Sequence, residues 1–381
     1  MPQPSAHQPL QGITVVELGS SVAAPYTGWI LAGLGARVVK IENPKSGDDA
    51  RHWGRMFPDG RSSFFLALNG DKKSVTVDMR DAQQLEWLRD YCASEADVVI
   101  QNMRPGKVDE FGLDALSLVS ENPRLIYCNL GAFGNRGPHK DKPGYDPLMQ
   151  ACGGIMSVTG EADRPPVRVG VSIVDMGTGM WCAIGILSAL FHRQTSGHGC
   201  VVDGSLYETS VAWVANQAAM VQVDGMNPEK VGSGARGMAP YQAYQCADGY
   251  LVVSAPNDRL FGRLSDALGF SEWCDDPRFD SNQNRYRNLE ELNQLLEPIF
   301  AAQPRAHWIE LCESAGVPCA PVRTVTEMLD DEQTRALGIV QNLPGQTPGL
   351  MGMPLSFNGV RPTLRNMPPE LGEHTAEFRG D

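Results

Sequence analysis

Asp175 is the carboxylate whose sequence surroundings most favour chemistry. It follows the β-rich run VRVGVSIV (167–174) and opens DMGTGMWCAIGILSALFHR (175–193), a largely apolar helical pattern. A strand that ends where a helix begins puts Asp175 at the helix N-terminus. Amide protons and the helix dipole there hold a carboxylate ionised and lower its pKa. Two readings share that physics. One is a helix cap; the other is a nucleophile that attacks a thioester carbonyl and forms an acyl anhydride. Position alone does not choose between them.

Other catalytic signatures are missing from the sequence: there is no phosphate-binding Walker loop, no GxSxG elbow and no HExxH. Gly131, Gly134 and Gly137 in GAFGNRG are loosely spaced and read as a chance Gly-rich turn. Lys72, Lys73, Arg104 and Lys107 are candidates to meet phosphates, each against the plainer reading of a solvated surface charge.

The elements that must position these residues alternate along the first third of the chain. ITVVEL (13–18), ARVVKIE (36–42), SVTVDM (74–79), ADVVIQ (96–101) and RLIYCNL (124–130) are Val/Ile-rich runs, separated by helical patterns over 24–34 and 82–92. Runs apolar on both faces, joined by helices, predict a parallel sheet with right-handed crossovers and ligand loops at the strands' carboxyl ends. After the long apolar helix, ended by Gly197 and Gly199, CVVDGSL (200–206) reads as a further strand. The hairpin signal Ala247-Asp248-Gly249 and helical patterns over 258–268, 288–302 and 304–315 predict a second, α+β unit. The expected division is a large domain of 1–205 with 341–381, linkers over 206–224 and 325–340, and a small domain over 225–324.

Composition bounds the function. A net charge of −13 over 381 residues excludes a broad basic nucleic-acid face, although a few converging cations still bind an anionic cofactor. Nine scattered cysteines with no CxxC pair read as reduced thiols, with no zinc site or disulfide framework. The opening MPQPSAHQPLQG carries no signal-peptide pattern, and Met180–Phe191, the longest apolar stretch, is shorter than the about 20 residues that span a bilayer. Cytoplasmic location is the expectation.

The stretches LQGITVVELG, ILAGLGARVVKIENPKSGDDAR, GDKKSVTVDM, ADVVIQNMRPG, GYDPLMQACGGIMSVTG, VSIVDMGTGM and LGEHT, in this order, resemble the class III CoA transferases of the CaiB/BaiF type. Formyl-CoA transferase and the succinyl-CoA–glutarate-type dicarboxylate transferases are members. The resemblance implies a Rossmann-like α/β large domain built from N- and C-terminal segments, a smaller α+β domain, and an interlocked homodimer.

It also implies that Asp175 is the nucleophile, working through aspartyl anhydride and aspartyl-CoA thioester intermediates on coenzyme A thioesters, without a metal. Loop residues Ser20, Ser21, Val22 and Ala23, with Asn102 and Met103, are implied in CoA binding. Lys73, Arg104, Lys107, Tyr145 and Asp146 join them as candidates. Formyl-CoA transferase carries His where Ser20 stands, and an Arg near Glu110. Gly153-Gly154 and 232–237 are candidate loops to close over Asp175. Arg236, in GSGARGMAPYQAY, is the candidate clamp for a dicarboxylate's distal carboxyl. The same fold serves α-methylacyl-CoA racemase, whose His in a GHD stretch is replaced here by Tyr145. No nucleic-acid or membrane partner is implied.

Overall fold

The computed structural model describes residues 7–380, so the first six residues of the opening stretch lie outside it. The chain divides into two compact units. One comprises residues up to Ile155, then Arg168–Gln222 and Glu332 onward; the other comprises Met156–Val167 and Val223–Asp331.

The first unit is built on a six-stranded sheet. Its strands are β1 (Thr14–Glu17), β2 (Arg37–Glu42), β3 (Lys72–Thr76), β4 (Val98–Gln101), β5 (Ile126–Gly131) and β6 (Val201–Ser205). They lie in the order β3-β2-β1-β4-β5-β6, with every pairing parallel. The order reverses direction between β1 and β4, so the loops leaving those two strands part company and open a crevice at their carboxyl ends.

The Val/Ile runs are strands because both sheet faces are covered. Val15, Val38, Val98, Ile100 and Ile126 pack into one apolar cluster, and Val16, Val39, Val75, Val99 and Tyr127 into the other. Helix α1 (Ala23–Gly33) connects β1 to β2 and α2 (Ala82–Ser94) connects β3 to β4. Gly35 ends the first connection at φ 103, a left-handed conformation that glycine adopts without strain.

Helix α3 (Asp146–Cys152) precedes α4 (Ile173–Ser196), the longest helix described. At 24 residues, α4 is long and apolar enough to cross a bilayer by length and composition, which the shorter stretch read from sequence missed. In the fold it is half buried, packing on α1. Thr27 donates to the Gly179 carbonyl at 3.2 Å, and a Cβ on Gly179 would stand 2.8 Å from the Ala23 carbonyl oxygen. Near its end, buried Arg193 pairs with Asp97 at 2.8 Å.

Three expectations change here. The run 167–174 is not a strand; the Val169 amide donates instead to the Gln150 side chain at 2.8 Å. Nor is 206–224 a linker: it forms helices α5 (Leu206–Trp213) and α6 (Ala215–Asp224). The span 325–340 likewise holds short helices Val325–Asp330 and Glu332–Leu337, and the division between units falls within it.

The C-terminal tail closes the edge of the sheet. The Gly372 amide donates to Ser74 Oγ at 2.9 Å, the His374 amide to the Ser74 carbonyl at 2.9 Å, and the Thr76 amide to Thr375 Oγ1 at 3.0 Å. LGEHT thus takes up β3 groups that would otherwise face solvent unpaired.

The second unit carries a three-stranded antiparallel sheet of β7 (Tyr241–Cys246), β8 (Gly249–Ser254) and β9 (Cys319–Pro321). Cys246 pairs with Gly249 across a tight turn of Ala247 and Asp248. Helices α7 (Asp258–Leu268), α8 (Leu289–Ala301) and α9 (Arg305–Ala315) cover it around Tyr244, Phe261, Phe300 and Trp308.

Candidate active site

Two cavities open along the crevice of the first unit. The larger, of about 760 Å³, is lined by Ser20, Ser21, Val22, Ala23, Asn102, Met103, Arg104, Tyr145 and Asp175 among others. The smaller, of about 480 Å³, shares Ser20, Asn102 and Met103 and is walled by Ile41, Val77, Met79, Arg80, Lys107 and Phe111. Residues far apart in sequence therefore meet where β1 and β4 end.

The Asn102 side chain forms the partition. Its Oδ1 accepts from the Ser20 amide at 3.0 Å, and its Nδ2 donates to the Ser20 carbonyl at 2.8 Å. A backbone loop and a side chain across the crevice are thus locked by a reciprocal pair. The amide of Asn102 is committed to shaping the loop.

Asp175 stands at the third position of α4, not at its cap. Ser172 occupies the cap and offers no side-chain hydrogen bond. The capping carboxylate comes from elsewhere: buried Asp146 accepts from the Val174 amide at 2.8 Å and the Asp175 amide at 3.2 Å through Oδ2. Its other oxygen accepts from Gln150 at 2.5 Å. Asp146 therefore holds the helix start and does not line the cavity.

This placement reverses the electrostatic expectation for Asp175. The amides expected to lower its pKa are taken by Asp146. Burial, with the Asp146 charge added, raises Asp175 from 3.8 to about 7. A carboxylate disfavoured in its ionised form is more basic, and so a better nucleophile once ionised.

The cations read from sequence separate. Arg104 lines the larger cavity, and Lys107 the smaller, where it also pairs with Glu110 at 2.5 Å. Lys73 lines neither and pairs with Glu377 at 3.2 Å on the far edge strand. Lys72 is buried among Glu17 at 2.8 Å, the Pro25 carbonyl at 2.7 Å and Asn69 at 2.9 Å. Burial lowers its pKa to about 8, and its ammonium group, buried and lining neither cavity, is not placed to meet a phosphate. Arg236 lies in the second unit, donating to the Glu229 carbonyl at 3.1 Å.

The glycine readings change as well. Gly131 and Gly134, taken from sequence as a chance turn, lie on the wall of the larger cavity. Gly153 is required for packing, since a Cβ there would stand 2.1 Å from Ser210 Oγ. The loop 232–237 lies in the second unit.

Sequence reasoning missed a polar ladder across β4, β5 and β6. Gln101 donates to Asn129 at 2.7 Å, Asn129 to Asp203 at 2.8 Å, and Asn135 to the other Asp203 oxygen at 2.9 Å. All four line the larger cavity, as do Lys140 and Lys142. Gln101 ends β4, Asn129 and Asp203 lie within β5 and β6, and Asn135 sits in the Gly-rich stretch after β5, so no shared sequence pattern marks them.

Residues 10–375 match the family model described as CoA-transferase family III. The chain belongs to CoA-transferase family III. It is 35% identical to the succinate–glutarate CoA-transferase of Agrobacterium fabrum, covering 98% of this chain and 96% of that one. It is 36% identical to the acetyl-CoA:oxalate CoA-transferase of Acetobacter aceti, over 97% and 95%. Among solved structures, a CaiB/BaiF family protein from Brucella suis superposes with TM-score 0.89 at 37% identity, over 98% and 99% of the two chains. The protein is a class III CoA-transferase, an enzyme acting on CoA thioesters.

Proposed function

We propose that Asp175 is the nucleophile that carries CoA from an acyl-CoA donor, succinyl-CoA, to a dicarboxylic acid. The observation that carries this reading is a basic carboxylate on the wall of the same cavity as the loop 20–23 and Asn102. The adenine of CoA fits the smaller apolar cavity, with Phe111 and Met103 as its contacts. The pantetheine arm then passes Asn102 toward Asp175, with Arg104 and Lys107, on the walls of the larger and smaller cavities, as the proposed phosphate contacts.

The carboxylate attacks the thioester carbonyl, the C–S bond breaks, and CoA thiolate leaves an aspartyl–acyl anhydride. The thiolate attacks the aspartyl carbonyl and expels the donor acid, leaving an aspartyl–CoA thioester. The acceptor carboxylate attacks that thioester and expels thiolate, forming a second anhydride. Thiolate then takes the acceptor's acyl group and frees Asp175. Each step exchanges one activated carboxyl for another, so exclusion of water matters more than proton transfer.

The two curated relatives, nearly equal in identity, are named for different acids, glutarate and oxalate. Acceptor choice therefore rests on local groups, and Arg236 is the proposed clamp for a distal carboxylate. The alternative is an α-methylacyl-CoA racemase-type epimerase, which needs a second acid–base group. Tyr145, which lines the cavity and is 58% exposed, offers a phenol where that enzyme has an imidazole, and this favours transfer.

Homodimerisation belongs to the same reading. Met180, Trp181, Ile184 and Phe191 expose an apolar stripe on α4, as an interface does. A cytoplasmic location is proposed with it. Incubation with succinyl-CoA and a panel of mono- and dicarboxylates, followed by mass spectrometry, tests the assignment. New thioesters of dicarboxylates support it. Loss of stereochemistry in a chiral 2-methylacyl-CoA, with no new thioester, overturns it.

A further inference from the structure

The loop after β1 is held by buried charge. Lys40 Nζ, fully buried, donates to the Gly19 carbonyl at 2.8 Å and pairs with Glu17 and Asp48, each at 2.7 Å. Asp48 Oδ1 accepts from the Ser21 amide at 2.9 Å and from the Ala50 amide at 2.9 Å. The Asp48 amide in turn donates to Glu42 Oε2 at 2.9 Å, and Glu42 is gripped by Arg51 at 2.7 Å.

Ser21 needs such a hold, because its φ of 71 lies in the left-handed region that side chains other than glycine rarely adopt. With Asn102 holding both polar backbone groups of Ser20, the Gly19 carbonyl, the Ser20 amide and carbonyl, and the Ser21 amide are all tied to buried or cavity-wall side chains. Burial works against the charged form of Lys40, but Asp48, Glu17 and Glu42 outweigh it and hold its pKa above the usual range. Room for the buried charges comes from Gly28, where a Cβ would stand 1.9 Å from Glu17 Oε2.

We propose that Asp48 is a positioning residue for coenzyme A. With Lys40 and Asn102 it fixes Gly19–Ser21 in the strained shape that presents Ser20–Ala23 to the cofactor before the cofactor arrives. Asp48 lies on the wall of the smaller cavity and not of the larger, but it is buried with its carboxylate oxygens engaged by Lys40 and by the Ser21 and Ala50 amides, so it acts through the Ser21 backbone. The inference rests on the reading that loop 20–23 binds CoA, and that reading has its own control.

Free CoA is titrated calorimetrically into the purified full chain and its variants. Asp48→Ala is expected to weaken CoA about ten-fold, the effect of losing one clamp on a strained loop. Asp48→Asn keeps an acceptor for the Ser21 amide and is expected to stay within about three-fold of the parent, a rescue that general destabilisation does not produce. Ser20→Glu puts a carboxylate into both cavities. If it leaves CoA affinity unchanged, the loop does not bind CoA and the underlying reading falls. If Ser20→Glu weakens CoA but Asp48→Ala does not, only the positioning role falls.

Hydrogen exchange on the unmodified protein covers the case in which Asp48→Ala does not fold. The Ser20 and Ser21 amides are expected to be protected without CoA and to change little when it is added. Rapid exchange that slows only with CoA overturns the proposal.

Discussion

At the scale of single residues, Asp175 and Asp146 divide the work of one helix start. Asp146 takes the amides, and Asp175 keeps its basicity. Activity should therefore rise with pH through about 7 as Asp175 ionises, read as kcat/KM for the acyl-CoA. Asp146→Asn removes the neighbouring charge while burial persists, so the midpoint should move to lower pH without returning to 3.8. Stability follows the same logic with its own sign. The folded-state pKa lies above the unfolded one, so the folded protein binds this proton more tightly. The contribution of Asp175 is lost as pH rises from about 4 to about 7. Asp175→Asn should then abolish transfer yet raise the melting temperature at pH 8, with little effect at pH 4. The sequence pointed to Asp175 through family resemblance but gave the wrong sign for its pKa. The residue that competes for its amides lies 29 positions away, and no local pattern reports it.

Among the elements, the strands were legible because both sheet faces are buried, which leaves unbroken Val/Ile runs. The run 167–174 deceived for the opposite reason. Its alternating valines look like a half-buried strand, but Val167 and Val171 are 46% and 60% exposed and no strand pairs with the segment. The glycines of DMGTGM gave no sign of their role from sequence, since close helix contact depends on what α1 presents. At Gly179 a side chain would meet the Ala23 carbonyl oxygen and the Tyr26 ring at 2.8 and 3.0 Å. Gly179→Val should cost about 1–3 kcal/mol in urea unfolding through overpacking, and lower activity by shifting the helix that carries Asp175.

At the scale of the whole molecule, tail and sheet form one unit although about 300 residues separate them in sequence, as in the Gly372–Ser74 bond. LGEHT was legible as a motif, while its task of sealing β3 was not. Truncation before Leu371 should expose the β3 edge and promote aggregation, measured by light scattering on heating. The same instrument tests the apolar stripe on α4. The dimer reading expects twice the 41.4 kDa chain mass, and Trp181→Asp with Phe191→Asp should reduce it. The central claim remains chemical. Incubating the enzyme with succinyl-CoA alone, then digesting it rapidly for mass spectrometry, should find CoA as a thioester on Asp175, absent from Asp175→Ala. A CoA adduct on another residue, or full transfer activity in Asp175→Ala, would contradict it.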